Sequence, residues 1–393
     1  MDENREYRRH CRAFKVIRAI LLPIARMLFN FSYEDLSGIE GPYLVLSNHN
    51  TDFDPIFIAG SVKHQLYFVA TENITRMGLV GKFFVFFFHP IIHYKGKIGI
   101  NTVKEVLKTL KAGHNVALFP EGNRSFNGLT NTGIIPDSTG KMAKKSGATL
   151  ITYRIDGGYF TSPRWGRKIR RGKVYGHAVN VYTPEVLKAM TDDEVNRAIK
   201  NDLFVDAYAE QVKDPVEYKG RCTAEYLEST LFLCPECGKQ GQLKSCGSTL
   251  SCKCGFKADY DRLGYLNTTD GKRYTITEID ARQQKYIESL LGDISAFPNE
   301  LFYDDVTVQQ IDSKHKIKSS TEERLTAFRD RFILGKKELL FRNISGLSIN
   351  QRNTVNLHYG NEDDFINIQG PGSFNALKYL YLFNASRRIN EEI

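Results

Sequence analysis

Twice in the first 125 residues a short, wholly apolar run stops at a polar turn. Tyr43-Leu44-Val45-Leu46 passes straight into Ser47-Asn48-His49-Asn50-Thr51-Asp52-Phe53-Asp54-Pro55. Val116-Ala117-Leu118-Phe119 passes into Pro120-Glu121-Gly122-Asn123-Arg124-Ser125. Such a run, without polar alternation, reads as a buried strand. Helical patterns lie between these strands and further ones, so the first half is expected to be an α/β domain with a largely parallel sheet. Ligands of open α/β sheets bind at the carboxyl ends of strands. Both turns stand at that position.

The turns carry reactive side chains. Asp52, Asp54 and Pro55 are helix-start residues, so His49 lies on a strand-to-helix turn. Asp54, five residues on, can fold back to accept the ring N–H of His49 and leave the other nitrogen as a base. Glu121 puts a carboxylate on a sharp turn. Arg124 offers a planar fork suited to phosphate or carboxylate. Taken singly, each has a plainer reading: a strand-end histidine with a helix cap, and a turn with a surface ion pair.

The order Asn48-His49-x4-Asp54, then Phe119-Pro120-Glu121-Gly122-x-Arg124-Ser125, resembles the glycerolipid acyltransferase family typified by 1-acylglycerol-3-phosphate acyltransferase. The resemblance covers about residues 15 to 215. It implies an O-acyltransferase of phospholipid biosynthesis. His49 is then the general base on a hydroxyl of a lysophospholipid or 1-acylglycerol-3-phosphate, and Asp54 orients it. Glu121, Gly122, Arg124 and Ser125 bind substrate, with Asn48 in support. The donor is acyl-CoA or an acylated acyl carrier protein. No Gly-x-Ser-x-Gly elbow is present, so direct transfer is expected rather than an acyl-enzyme. Where the family has its second motif, Tyr94 falls on the expected arginine, which leaves Lys95 and Lys97 as phosphate ligands of point-charge type. The proline usual in the family's fourth motif is missing from Thr149–Tyr153.

A net charge of +9 suits anionic partners such as headgroups, acyl carriers, coenzyme A or nucleic acid. No stretch approaches the ~18 apolar residues of a membrane span. The first apolar run, broken by Arg18, Pro23 and Arg26, does not read as a signal peptide. Residues 1–12 read as frayed. From about Ala13 to Phe31 an amphipathic helix is expected, kinked or split at Pro23. Its apolar face either docks in a membrane interface or packs on the domain, and the surrounding arginines favour the membrane. The expected location is therefore peripheral, on the cytoplasmic face of a membrane. Six large apolar residues, Phe83 to Phe88, either line an acyl-chain tunnel, touch lipid, or form a buried element. Ser162 to Lys173 holds six basic residues around the single tryptophan, Trp165. That reads as a membrane or carrier patch, or as a solvated loop.

Five of the seven cysteines lie between Cys234 and Cys254. Cys234, Cys237, Cys252 and Cys254 form two knuckles suited to a structural zinc ribbon, with Cys246 as an alternative ligand. Beyond it, a helix from Ile276 to Leu291 precedes many short strand-like runs and a last helix at Phe374–Leu382. That pattern resembles a pleckstrin-homology-like barrel. The expected organisation is a docking segment (1–31), an acyltransferase domain (32–220), a zinc ribbon (228–260) and a β-rich domain (261–393). The rival readings are a non-catalytic lipid- or partner-binding protein and a nucleic-acid binder. No Walker loop or dinucleotide fingerprint is present, and no nucleic-acid partner is expected.

Overall fold

Strands that read as continuous apolar runs are covered on both faces. Residues 3–71, 74, 78–93, 99–292, 300–312, 317–360 and 365–391 are described by the structure, a computed structural model. They form two units, the first of residues up to 164 with 169–220, the second of 165–168 with those from 221 onward. In the first unit, β1 (Phe31–Tyr33), β2 (Tyr43–Ser47), β3 (Leu66–Thr71), β4 (Ile91–His93), β5 (Asn115–Leu118), β6 (Thr149–Asp156) and β7 (Val174–Tyr182) make one sheet in the order β1-β7-β6-β2-β5-β3-β4. Only the β6/β7 pairing is antiparallel. The parallel sheet expected from the sequence is therefore present.

Alternate side chains of β2 enter different cores. Tyr43 and Val45 join Phe14, Leu22 and Phe29 of α1 (Glu3–Phe29) and Phe57 and Ile58 of α2 (Asp54–Ser61). Leu44 and Leu46 join Val106 and Leu110 of α4 (Ile100–Lys111), Met142 of α5 (Ser138–Ser146) and Ile199. The central strand is thus apolar throughout because helices cover both its faces.

α1 differs from expectation at its start, and it is not split at Pro23. It starts at Glu3 and runs unbroken through Pro23. The polar start is helical because it has partners: buried His10 bonds the Tyr67 hydroxyl through Nδ1 at 3.0 Å, and Tyr7 stacks on His114. Further along, Arg18 donates to the carbonyls of Ala59 and Gly60, both at 2.8 Å, at the end of α2. One face of α1 is therefore core. The opposite face exposes Val16, Ile20, Ile24 and Met27, a stripe at i, i+4, i+8 and i+11. Arg9 lies on the same line, and its guanidinium sits 4.0 Å from the ring centre of Phe86. Phe86 belongs to α3 (Gly78–Phe88), which also exposes Leu79, Phe83 and Phe84. The phenylalanine run is helical and extends the α1 stripe, which rules out the buried-element reading.

In the second unit, β8 (Leu243–Cys246), β9 (Thr249–Cys252), β10 (Lys257–Tyr260), β11 (Leu266–Thr268) and β12 (Arg273–Tyr274) form an antiparallel meander. After α10 (Ile276–Gly292), a second antiparallel sheet contains β13 (Phe302–Ile311), β14 (Ile317–Ala327), β15 (Arg331–Leu334), β16 (Lys337–Leu340), β17 (Ile344–Asn350), β18 (Thr354–Tyr359) and β19 (Phe365–Gln369). Its order is β16-β15-β14-β13-β19-β18-β17. A four-strand and a three-strand meander thus meet at the β13/β19 pair. The last helix, α11 (Ala376–Glu391), inserts Tyr379 among Phe302 and Phe332. The Tyr379 hydroxyl donates to Asp304 at 2.6 Å. Trp165, read from sequence as a boundary tryptophan, is 0% exposed and lies edge-on to Tyr260. Full burial removes it from any docking surface.

Candidate active site

Three neighbouring parallel strands, β5, β2 and β6, deliver their carboxyl ends to one place. β2 delivers His49. Its Nδ1–H donates to Asp54 Oδ2 at 2.8 Å, and Asp54, on the first turn of α2, is 0% exposed. The Asp54 carboxylate also accepts the backbone N–H of Asn50 (2.6 Å), the backbone N–H of Thr51 (2.9 Å) and the Thr51 hydroxyl (2.7 Å). Four donors therefore hold a buried anion in one orientation, which offsets its desolvation. The His49 ring stacks on Phe119 with centroids 4.2 Å apart. Its Nε2 has no hydrogen-bond partner among the described residues. One nitrogen is thus committed to a carboxylate, while the other is left for a reacting proton.

Glu121, reached from β5, is a brace. One carboxylate oxygen accepts the backbone N–H of His49 at 2.9 Å, the other that of Asn131 at 3.0 Å. Burial outweighs these two donors and pushes its pKa up to about 8. Ser125 donates its backbone N–H to the His49 carbonyl at 2.9 Å. Its hydroxyl is occupied by the Leu129 carbonyl and the Gly128 amide. Gly122 has φ +67, the left-handed region that the sharp turn requires. The two sequence motifs are therefore stitched together through the backbone of residue 49. Arg124 is largely buried and pairs with Asp52 at 3.2 Å. Asn48 and Asn50 both donate to the carbonyl of Ile155, and Asn48 accepts its N–H, which ties the histidine turn to β6.

These positions bring His49, Asp54, Glu121, Gly122, Arg124 and Ser125 together. Lys95 and Lys97, with Tyr94, lie outside the described residues. Sequence reading passed over Thr51, Asn50 and Phe119. Thr51-x-x-Asp54 has capping-box spacing, a signal that could have tied the two together. Nothing in the sequence marks Phe119 as the ring beneath the histidine.

Residues 26–156 match the family model described as Acyltransferase. This segment is an acyltransferase-family domain. The whole His49 and Glu121 constellation falls inside it. No curated protein matches the chain. Among solved structures, the chain is similar to the 1-acyl-sn-glycerophosphate (LPA) acyltransferase PlsC from Thermotoga maritima, with TM-score 0.42 and 21% identity over 51% of this chain and 80% of that one. A structure of the Vav1 exchange factor, described for its PH and C1 domains, matches with TM-score 0.17 and 7% identity over 28% of this chain and 34% of that one. Among the described residues no helix is long and apolar enough to cross a membrane.

Apart from the acyltransferase domain, Cys234, Cys237, Cys252 and Cys254 of the second unit gather their sulfurs within 4.8 Å of one another. Cys234 and Cys254 are 3.8 Å apart, Cys237 and Cys252 3.9 Å. Sulfurs on a tetrahedron around a metal with bonds of about 2.3 Å are about 3.8 Å apart, so the set fits a thiolate-bound metal ion. Exposed Cys246 is outside it.

Proposed function

We propose that the protein is an O-acyltransferase of glycerolipid metabolism that moves an acyl group from a thioester to a lipid hydroxyl. The observation that carries this reading is the His49–Asp54 pair, with Nε2 open, inside an acyltransferase-family domain. In the proposed reaction Nε2 takes the proton of the acceptor hydroxyl. The oxygen attacks the thioester carbonyl, a C–O bond forms, and the C–S bond breaks. The proton on Nε2 then passes to the departing thiolate. Asp54 stabilises the imidazolium between these steps. Holding donor and acceptor side by side supplies much of the rate. Acceptors of the lysophospholipid or 1-acylglycerol-3-phosphate type, and acyl-CoA or an acyl carrier protein as donor, are the finer parts of this proposal. They follow from the motif resemblance.

The apolar stripe of α1, continued by α3 and flanked by exposed Arg5, Arg8, Arg12 and Lys15, supports docking of the enzyme on an anionic membrane surface. Lipid acceptors then reach the site without leaving the bilayer's surface layer. The four cysteines are proposed to hold a structural zinc ion, and the β13–β19 sheet with α11 to be a pleckstrin-homology-like module for lipid or a partner.

The test is thiol release from acyl-CoA with a panel of lysophospholipid and glycerol-phosphate acceptors, for wild type and His49→Ala. Release that needs acceptor and falls at least ~100-fold in the variant, the scale of a general base, supports the reading. Acceptor-independent release, or equal release by the variant, overturns it.

A further inference from the structure

Within the first unit the start of α1 lies against the end of α3. Glu6 and His10 stand four residues apart on α1 and so share one face of it. His89 follows the last residue of α3. Its φ of +44 lies in the left-handed region, where a helix end usually places glycine. The His89 ring stacks on that of His10, with centroids 5.6 Å apart and planes at 29°. Glu6 Oε1 lies 3.9 Å from His10 Nε2 and 3.9 Å from His89 Nδ1. One ligand atom from each of the three residues falls within 4.8 Å of the other two.

Two imidazoles and a carboxylate are donors of the kind that zinc takes. Zinc bonds of about 2.0–2.1 Å put ligand atoms about 3.4 Å apart, so shifts of about an ångström or less at the side-chain tips close the three on an ion. His10 is equipped for the task. It is 2% exposed, and its Nδ1 meets the Tyr67 hydroxyl at 3.0 Å, the outer contact that holds a ligating imidazole in one orientation. A cation already stands before its other nitrogen. Arg9 Nη2 lies 3.0 Å from Glu6 Oε1 and 3.4 Å from His10 Nε2. An arginine can only donate, so Nε2 turns its lone pair toward it. His89 leaves 64% of its side chain exposed, which gives an ion a way in from solvent.

We propose that Glu6, His10 and His89 form a binding site for a divalent transition-metal ion of the zinc type, with Glu6 Oε1, His10 Nε2 and His89 Nδ1 as its ligands. The ion takes the bridging place of Arg9, and water fills the remaining position. It ties together two segments distant in sequence, and with them the two helices that carry the exposed apolar stripe. The site lies in the first unit and the four cysteines in the second. It does not depend on the acyl-transfer reading.

The experiment exposes full-length chains to excess zinc, removes loosely held ion by gel filtration and counts bound zinc by mass spectrometry. Affinity is read separately by competition with a chromophoric chelator. Wild type is compared with His89→Gly, Glu6→Gln, Tyr67→Phe and Arg9→Gln. Glycine takes the left-handed backbone at residue 89 without strain and removes only the ring. His89→Gly is expected to hold one zinc ion fewer per chain than wild type, whatever number the cysteines hold. Tyr67→Phe should weaken that ion about 10- to 100-fold, the scale of a lost outer contact, and Glu6→Gln at least as much. Arg9→Gln should bind it more tightly, because the competing cation is gone. An equal zinc count in wild type and His89→Gly overturns the site. The cluster is then held by Arg9 and by the carbonyl of Phe86, which faces the same imidazole. A loss in His89→Gly with wild-type affinity in both Glu6→Gln and Tyr67→Phe also overturns it, since a surface histidine alone would then bind the ion. If His89→Gly does not fold, Glu6→Gln and Arg9→Gln decide: shifts of affinity in opposite directions keep the site, and unchanged affinities sink it.

Discussion

Replacing Asp54 by asparagine separates its charge from its shape. Oδ2 accepts three N–H groups, from His49, Asn50 and Thr51, whereas Oδ1 accepts the Thr51 hydroxyl. An asparagine has one acceptor oxygen. Turned with its NH2 toward the three N–H groups it would face three donors, so the carbonyl takes that place. The NH2 then meets the Thr51 hydroxyl, which can rotate to accept. His49 keeps its tautomer, and what is lost is the negative charge beside the imidazolium. Hydrogen bonds to charged groups contribute about 1.5–3 kcal/mol and neutral ones about 0.5–1.5. The difference, about 1–1.5 kcal/mol for the His49 bond, corresponds to about 5- to 13-fold in turnover. Asp54→Ala is different in kind, since it strands buried donors at about 1–3 kcal/mol each and should lower the melting temperature markedly. The assay is thiol release under saturating donor, with thermal melts on the same samples. Wild-type turnover in a well-folded Asp54→Asn would reduce Asp54 to a pin for the loop. Turnover as low as in His49→Ala would mean that the tautomer is lost and the donor cage does not control the amide's orientation.

Glu121 gives a pH dependence whose sign can be stated. With a pKa near 8 in the fold against 4.5 ordinarily, the folded chain keeps a proton that the unfolded chain releases between those values. Stability therefore falls as pH rises from about 4.5 toward 8; urea titrations should show that slope flattened in Glu121→Gln. Changing Ile20 and Met27 (64% exposed) to glutamate should weaken sedimentation with anionic vesicles at least about tenfold, given ~1.5–3 kcal/mol per buried apolar side chain, with no loss of fold. Binding equal to wild type would remove the α1 stripe from docking. Stripping metal with a chelator, or Cys234→Ser, should lower the melting temperature of the second unit and free titratable thiols, while melting that ignores the chelator would refute a structural ion.

Much of the first unit was legible because its central strands β2 and β5 are buried on both faces and so read as bare apolar runs. The meeting of His49 with Asp54 followed from five residues and a turn. The brace by Glu121 did not, because a carboxylate spent on backbone amides looks in sequence like one offered to substrate. β14 shows the same difficulty in the fold. Its first six residues, Ile317 to Glu322, are exposed, so no apolar alternation announced them, and only the last turn of the strand was readable. The polar start of α1 was hidden for the opposite reason: buried His10 and half-buried Tyr7 have their partners at Tyr67 and His114, more than fifty residues away.

The basic stretch around Trp165 makes the general point. Its composition invited a surface role, yet the tryptophan is fully buried and Arg164 and Arg170 are withdrawn from water, while Arg167 stays exposed. Six positive charges in twelve residues are therefore not one patch. Some of them are solvated, and Arg164 is held on Phe126 beside the histidine turn. Composition reports charge but not where each charge is buried. A buried guanidinium is held by the protein groups around it and an exposed one by water, so the charges of this stretch cannot act together on a membrane.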